Sequence, residues 1–200
     1  MLRKAIYPKI ESTLNQAALW FNQKNISPNQ LTLGGLALAF LAGWLYAGGH
    51  FFMGGIFLIL SSLGDMLDGP LARATGRSSK FGAFLDSTVD RYADFFIFGG
   101  FAIYFASHDK PGWLFITLGI IMGAYITSYA KARAENLITE CNTGVFERPE
   151  RIIALAVASF IPFLRPLALL VLFIGTNATA IQRILYTQEN LPKQDAGQTS

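Results

Sequence analysis

The sequence contains forty consecutive residues, 25–64, without a single Asp, Glu, Lys or Arg. Crossing the hydrocarbon core of a bilayer takes about 20 apolar residues, so this stretch predicts two membrane spans joined by a short turn at residues 48–50. The whole composition agrees, because 52% of the residues are hydrophobic and 14% are charged, whereas an ordinary soluble domain has roughly 25% charged residues. These values exclude a disordered chain, a coiled coil and an ordinary soluble domain.

Hydrophobic periodicity and turn residues predict six spans within one domain, residues 25–187. The predicted spans cover residues 31–47, 51–70, 81–106, 113–135, 148–160 and 167–186. Before them, apolar residues three or four apart, interleaved with Lys and Arg, predict an amphipathic helix at the membrane surface over residues 1–24. Residues 188–200 are polar and predict a flexible tail. We therefore expect an all-α integral membrane protein with six transmembrane helices and an N-terminal interfacial helix.

The distribution of basic residues predicts the orientation of the spans. With six spans, both termini lie on one side, and only Lys110 and Arg165 of the sixteen Lys and Arg residues belong to the opposite loops. Basic residues concentrate on the cytoplasmic side of membrane proteins, so we expect both termini to face the cytoplasm from the inner membrane. The same loops account for the net charge of +3, and no nucleic-acid partner is expected.

Acidic residues in the second and third spans are the strongest functional signal, because a carboxylate at membrane depth is costly. Asp65 and Asp68 are spaced i, i+3, and Asp86 and Asp90 are spaced i, i+4, so each pair shares a helix face. Asp94 follows one turn later. A single such residue is readily explained as a helix end in water, but four at these spacings on consecutive spans predict a common site at the cytoplasmic face.

The predicted site suits divalent metal ions. Oxygen ligands without Cys or His nearby favour Mg²⁺, Mn²⁺ or Ca²⁺ over zinc, and the one cysteine, Cys141, also excludes a disulfide framework. Four carboxylates can hold two ions, an arrangement that serves displacement at phosphorus.

Gly69 and Gly82 would let a ligand approach the backbone, although small-residue packing between membrane helices also explains them. Arg73 can bind a phosphate through two nitrogens.

Written out, these residues are Asp65-x2-Asp68-Gly69-x2-Ala72-Arg73-x8-Gly82-x3-Asp86-x3-Asp90. The pattern resembles the signature of the CDP-alcohol phosphotransferase family at every defined position, and Pro28-Asn29-x2-Thr32, which opens the first span, is similar too. Members of that family transfer a substituted phosphate from a CDP-linked donor, such as CDP-diacylglycerol (CDP-DAG), to an alcohol and release CMP. The resemblance implies a metal-dependent phosphatidyltransferase of phospholipid biosynthesis, with the six-span fold and the homodimer of the family.

The resemblance also implies roles for individual residues. Asp65, Asp68 and Asp86 would bind two Mg²⁺ or Mn²⁺ ions, and Asp90 would contact one ion and accept the proton of the incoming hydroxyl. The CDP part of the donor would be held by five residues, Asn29, Thr32, Gly69, Arg73 and Ser79. A hydroxyl is a poor nucleophile until a positioned base accepts its proton, so these roles are chemically consistent.

Segments outside the signature indicate the acceptor. Residues 86–94, 128–135 and 144–151 look more like bacterial phosphatidylinositol-phosphate synthases than like phosphatidylglycerophosphate synthases. In the former, a basic pocket holds the phosphate of inositol phosphate, and the matching residues here would be Lys131, Arg151 and Arg183. Glycerol 3-phosphate and serine remain alternative acceptors. Anchoring by positive charge, or a helix-surface pair of Lys131 with Glu135, would also explain these cations.

A cation transporter is the alternative from another class, because acidic residues within a membrane also make paths for cations. The carboxylates, however, gather at one membrane face and form no path across the bilayer. This placement favours the transferase, and release of CMP from CDP-DAG would distinguish the two.

Overall fold

The computed structural model describes residues 16–18 and 20–191, and every regular element within them is helical. After residue 27 there are six α-helices: α1 (Pro28–Ala47), α2 (Phe51–Ala74), α3 (Lys80–Ser107), α4 (Pro111–Ala134), α5 (Arg148–Phe160) and α6 (Arg165–Asn190). A short 3-10 turn, Pro162–Leu164, precedes α6. The predicted interfacial helix falls largely on residues outside this description. Only residues 16–18 and 20–24 of it are described; residues 16–18 and 20–23 are helical, and residue 24 lies in a turn.

Local capping interactions set the helix ends and explain where they differ from the predicted spans. Helix α1 begins at Pro28, three residues early, because the Ser27 hydroxyl accepts the Gln30 amide at 3.3 Å and the Gln30 side chain accepts the Ser27 amide at 2.8 Å. Helix α2 continues through Pro70 to Ala74, where the amide of Thr75 donates to the Leu71 carbonyl at 3.0 Å. Helix α6 likewise runs to Asn190, so part of the predicted tail is helical.

The six helices close a ring in the order α1, α2, α5, α6, α4, α3, each packing chiefly against its two neighbours. Helices α1 and α3 approach most closely at Gly43 and Gly100, where a Cβ on either residue would overlap the backbone of the other helix. One buried apolar cluster takes side chains from all six helices, among them Tyr46, Leu58, Phe101, Ile120, Leu155 and Leu172. This core fixes the relative positions of the polar ends of the helices.

The helices carry the surface of a membrane-embedded protein. Four helical segments are long and apolar enough to cross a bilayer: Pro28–Ala47, Phe51–Ala74, Pro111–Ala134 and Pro162–Asn190. Their exposed side chains include Trp44, Phe115 and Ile174, which are 72%, 71% and 64% exposed. Such large apolar side chains suit contact with lipid. Helix α3 is charged in its first half, and α5, at 13 residues, is only about 20 Å long.

Candidate active site

Three carboxylates come together where the end of α2 faces the start of α3. Asp65, Asp68 and Asp86 each offer an oxygen, and these oxygens all lie within 4.8 Å of one another. The i, i+3 spacing places Asp65 and Asp68 on one face of α2, and the turn at residues 75–79 returns the chain so that Asp86 faces them. The group fits a divalent cation, since oxygen ligands surround Mg²⁺ at about 2.1 Å.

Thr32 of α1 fixes the most buried of these carboxylates. Its hydroxyl donates to Asp68 Oδ2 at 2.7 Å, and both side chains are buried. The resemblance implied that Thr32 helps to hold the CDP-linked substrate. The structure shows that Thr32 also contacts a candidate metal ligand. A hydrogen bond to a charged acceptor is among the stronger ones, so Thr32 holds Asp68 in a defined orientation.

Asp90 is connected to Asp65 by an arginine side chain that contacts both carboxylates. Arg148, the first residue of α5, places Nη1 2.5 Å from Asp65 Oδ2 and 2.5 Å from Asp90 Oδ1. Asp90 therefore lies next to Asp65, outside the group of three. From the sequence, Arg148 could be explained by anchoring through positive charge, and a phosphate-binding role was assigned to Arg151 but not to Arg148. The signal that pointed to a site was its place in the first turn of a helix, where the helix dipole disfavours a cation.

A cavity of about 210 Å³ opens beside the carboxylates and brings the predicted donor residues together. It is lined by all five of them, Asn29, Thr32, Gly69, Arg73 and Ser79, and by Asp68 and Asp86. Ser79 is the N-cap of α3, where its hydroxyl oxygen accepts the Gly82 amide at 2.9 Å. A Cβ on Gly82 would lie 3.1 Å from that oxygen, so glycine keeps this corner open. Arg77 also lines the cavity, and sequence reasoning had assigned it no role.

The three predicted acceptor residues lie on three helices, and each contacts protein groups. Arg151 of α5 is 4% exposed and donates from Nη2 to Asp94 Oδ2 at 2.7 Å. Its Nε is buried and makes no hydrogen bond to any residue that the structure describes. Lys131 Nζ lies 3.8 Å from Glu135 Oε1 on the surface of α4, as expected for a helix-surface pair.

Arg183 of α6 is the most fully bonded of the three. It donates to the carbonyl oxygens of Thr127 and Thr143 at 2.7 and 3.0 Å, and to Glu147 Oε1 at 3.1 Å. The side chain therefore ties α6 to α4 and to the loop before α5. Sequence reasoning missed these partners, and it gave no role to Asp94 as the partner of Arg151.

The chain is similar to known proteins over most of its length. Residues 25–184 match the CDP-alcohol phosphatidyltransferase family. A phosphatidylinositol phosphate synthase of Streptomyces avermitilis is 36% identical over 98% of this chain and 86% of its own length. The crystal structure of Mycobacterium tuberculosis phosphatidylinositol phosphate synthase in complex with manganese and citrate matches with a TM-score of 0.79 and 31% identity, over 90% of each chain. The same protein with CDP-DAG bound matches with a TM-score of 0.72 and 28% identity, over 88% of this chain and 90% of that one.

Proposed function

The chain belongs to the CDP-alcohol phosphatidyltransferase family, and we propose that it transfers the phosphatidyl group of CDP-DAG to inositol phosphate and releases CMP. One observation carries the proposal: a single cavity joins the carboxylates Asp68 and Asp86 to the residues expected to hold the donor. The relative that binds CDP-DAG and the relative named for phosphatidylinositol phosphate synthesis support the same donor and acceptor.

Divalent metal ions fit the carboxylate group. Asp65, Asp68 and Asp86 would hold one ion, and Asp90 with Asp65 would help to hold a second. When bound, such ions supply positive charge that stabilises the negative charge on the reacting phosphates. Manganese in the mycobacterial complex supports Mn²⁺ or Mg²⁺ as the native ion.

The donor would lie with its two phosphates beside the carboxylates and its cytidine toward the start of α1. Arg73 would bind a phosphate through its guanidinium, and the Ser79 hydroxyl, whose oxygen accepts the Gly82 amide, still has its proton to donate. Asn29 offers an amide to the cytidine end of the same cavity. Gly69, without a side chain, lets the phosphates approach the α2 backbone.

Asp90 is the proposed base. The acceptor hydroxyl oxygen forms a bond to the phosphorus that carries diacylglycerol, while the bond from that phosphorus to the CMP oxygen breaks and CMP leaves with the electron pair. The hydroxyl proton passes to the Asp90 carboxylate. Arg148, 2.5 Å from Asp90 Oδ1, would orient this carboxylate toward the acceptor.

Lys131, Arg151 and Arg183 would hold the phosphate of the acceptor. The buried Nε of Arg151 makes no hydrogen bond to any described residue, and an unsatisfied buried donor costs about 1–3 kcal/mol. A phosphate oxygen would accept from this nitrogen and remove that cost. Asp94 and Glu147 would keep the two arginines in place from the other side.

The proposed arrangement in the membrane has six spans. Helix α3 is 28 residues long, about 42 Å, so its apolar second half would lie in the bilayer while its charged first half reaches the cytoplasmic surface. Helix α5 would begin at the same surface. Both termini and the active site would face the cytoplasm from the inner membrane, where a water-soluble acceptor has access, and two chains would form a homodimer.

A product analysis tests the proposal. The purified chain would be incubated with CDP-DAG, Mg²⁺ or Mn²⁺, and one acceptor at a time: inositol phosphate, inositol, glycerol 3-phosphate or serine. We expect CMP and a new lipid, identified by mass spectrometry as phosphatidylinositol phosphate, with inositol phosphate alone. A product from another acceptor would contradict the acceptor, and absence of CMP with every acceptor would contradict the transferase.

A further inference from the structure

A second cavity, of about 260 Å³, lies at the end of the helix bundle away from the carboxylates. It is formed by the end of α3, the start of α4 and the start of α6. Tyr104, one of its lining residues, is about 27 Å further along α3 than Asp86 at 1.5 Å per residue. The cavity is therefore separate from the proposed active site.

Two cationic side chains line this cavity without an acidic partner. Arg165 donates from Nε to the Ala158 carbonyl at 2.8 Å, and its guanidinium carbon lies 3.5 Å from the centre of the Phe51 ring. Within the part of the chain that the structure describes, neither Arg165 nor Lys110 forms an ion pair with a carboxylate. Asp109 is exposed and does not line the cavity.

Both cations stand where a helix dipole disfavours them. Lys110 directly precedes the first residue of α4, and Arg165 is the first residue of α6. Neither helix has a side chain that caps its first turn. The Arg165 amide already donates to the Pro162 carbonyl, so the amides without an acceptor are those in the first turn of α4. An anion in the cavity would offset the charge cost of both cations and accept from free amides.

The walls and size of the cavity suit a small anionic group next to apolar chains. The His108 and Tyr104 rings contact each other at a tilt with centres 4.1 Å apart, and Trp113 stacks on Phe105 at 6.0 Å. Such rings are typical of the level of lipid head groups. A volume of about 260 Å³ is just below the range of roughly 300–1,000 Å³ that holds drug-sized ligands. The space therefore fits a head group.

We propose that this cavity is a binding site for a phosphate group, with Arg165 as its principal ligand and Lys110 as its second. A guanidinium binds phosphate through two nitrogens, and the two terminal nitrogens of Arg165 donate to no described residue. The phosphate would come from an anionic phospholipid of the leaflet opposite the active site, or from free phosphate in solution. Both sources share the same chemistry, and the experiment separates them.

The test measures thermal unfolding of the purified full chain in neutral detergent at constant ionic strength. The probes are phosphatidylglycerol, phosphatidylcholine with the same acyl chains, and inorganic phosphate. The variants are Lys110→Gln and Arg165→Gln, with Arg133→Gln as a control that removes one exposed cation at the other end of the bundle. Native mass spectrometry counts the bound lipid in each sample.

We expect phosphatidylglycerol to raise the unfolding midpoint by about 5 °C at saturation in the unmutated chain and in Arg133→Gln. The rise should fall by about half in Lys110→Gln and vanish in Arg165→Gln, together with one bound lipid. The same pattern with inorganic phosphate would identify free phosphate as the ligand. If Arg165→Gln does not fold, Lys110→Gln decides. Equal responses in Lys110→Gln and Arg133→Gln, or an equal response to phosphatidylcholine, would overturn the proposal.

Discussion

The two sides of the proposed active site are built in different ways. On the donor side, the aspartates lie within residues 65–90, and their spacing along two helices brings them together. On the acceptor side, each buried arginine is held by groups far away in the sequence, as Arg151 is by Asp94 across 57 residues and Arg183 by the Thr127 carbonyl across 56. The donor side concentrates negative charge, whereas the acceptor side has its positive charge already paired with carboxylates.

This difference predicts different costs of mutation. Neutralising Asp86, which belongs to the group of three, reduces repulsion among carboxylates, so activity should fall while stability is kept. Removing a buried arginine of the acceptor side leaves its carboxylate unpaired, which costs about 3–5 kcal/mol. Arg148, in contact with Asp65 and Asp90, joins the two sides and belongs to both.

The largest loss of activity is expected from Asp86→Asn, which removes one negative charge from the group of three carboxylates. Losing even an outer partner of a metal ligand costs 10–100-fold, so we expect CMP release to fall by more than about 100-fold and Mn²⁺ binding, measured by calorimetry, to weaken in parallel. The unfolding temperature should not decrease. Asp109→Asn, the same change at an exposed residue of the opposite end, is the control. Full activity of the unmutated chain in excess chelator would contradict the metal assignment.

The next effect is expected from Asp90→Asn, which keeps the shape of the side chain and removes the proposed base. Turnover should fall by roughly 10²–10⁴-fold, the usual range for general-base catalysis. Affinity for CDP-DAG should stay the same, because Asp90 is not among the residues that line the donor cavity. A parallel loss of CDP-DAG affinity and turnover would make Asp90 a ligand-holding residue.

The same contrast explains what the sequence could predict. The i, i+3 and i, i+4 spacings fix which side chains share a helix face, so the approach of the aspartates followed from spacing alone. The five donor residues came from the family resemblance, and all five line one cavity. The partners of Arg148, Arg151 and Arg183 depend on how α5 and α6 pack. No periodicity within one helix determines such a contact.

For the fold too, the helix ranges could be predicted from the sequence, but the contacts between helices could not. Six spans were predicted, and the structure has a helix within a few residues of each predicted range, although only four helical segments are long and apolar enough to cross a bilayer. Helix ends differ from the prediction at caps such as Ser27 and Thr75. The ring order, in which α5 separates α2 from α6, needed the structure. It depends on close contacts such as Gly43 with Gly100, which a list of apolar spans does not contain.

Arg151→Ala is expected to reduce activity less than the two aspartate variants do, but to reduce stability more. Charge-assisted hydrogen bonds contribute about 1.5–3 kcal/mol, so the acceptor KM should rise roughly 10–100-fold while the donor KM changes little. Asp94, 6% exposed, would be left buried without its partner, and the unfolding temperature should fall. Arg151→Lys should recover only part of the acceptor affinity, since it keeps the charge without the planar fork.

The double variant Asp94→Ala/Arg151→Ala separates binding from folding. Removing both partners should restore much of the stability lost in Arg151→Ala, because no unpaired carboxylate remains. The acceptor KM should stay high. Recovery of the acceptor KM together with stability would show that Arg151 serves the fold and does not bind the acceptor.

The smallest effect on acceptor KM is expected from Lys131→Ala, because Lys131 lies at the exposed edge of the proposed acceptor site. Its pair with Glu135, at 3.8 Å and about 40% exposed, contributes at most a few tenths of a kcal/mol, as exposed pairs do, so Lys131→Ala should leave the unfolding temperature unchanged. If the ammonium also contacts the acceptor phosphate, its loss should raise the acceptor KM by up to about 10-fold.

Glu135→Ala should lower that KM slightly, because it frees the ammonium from a competing carboxylate. Arg133→Ala, an exposed cation two residues away that faces another direction, should change neither quantity. Equal KM values for Lys131→Ala and Arg133→Ala would restrict the phosphate site to the buried arginines.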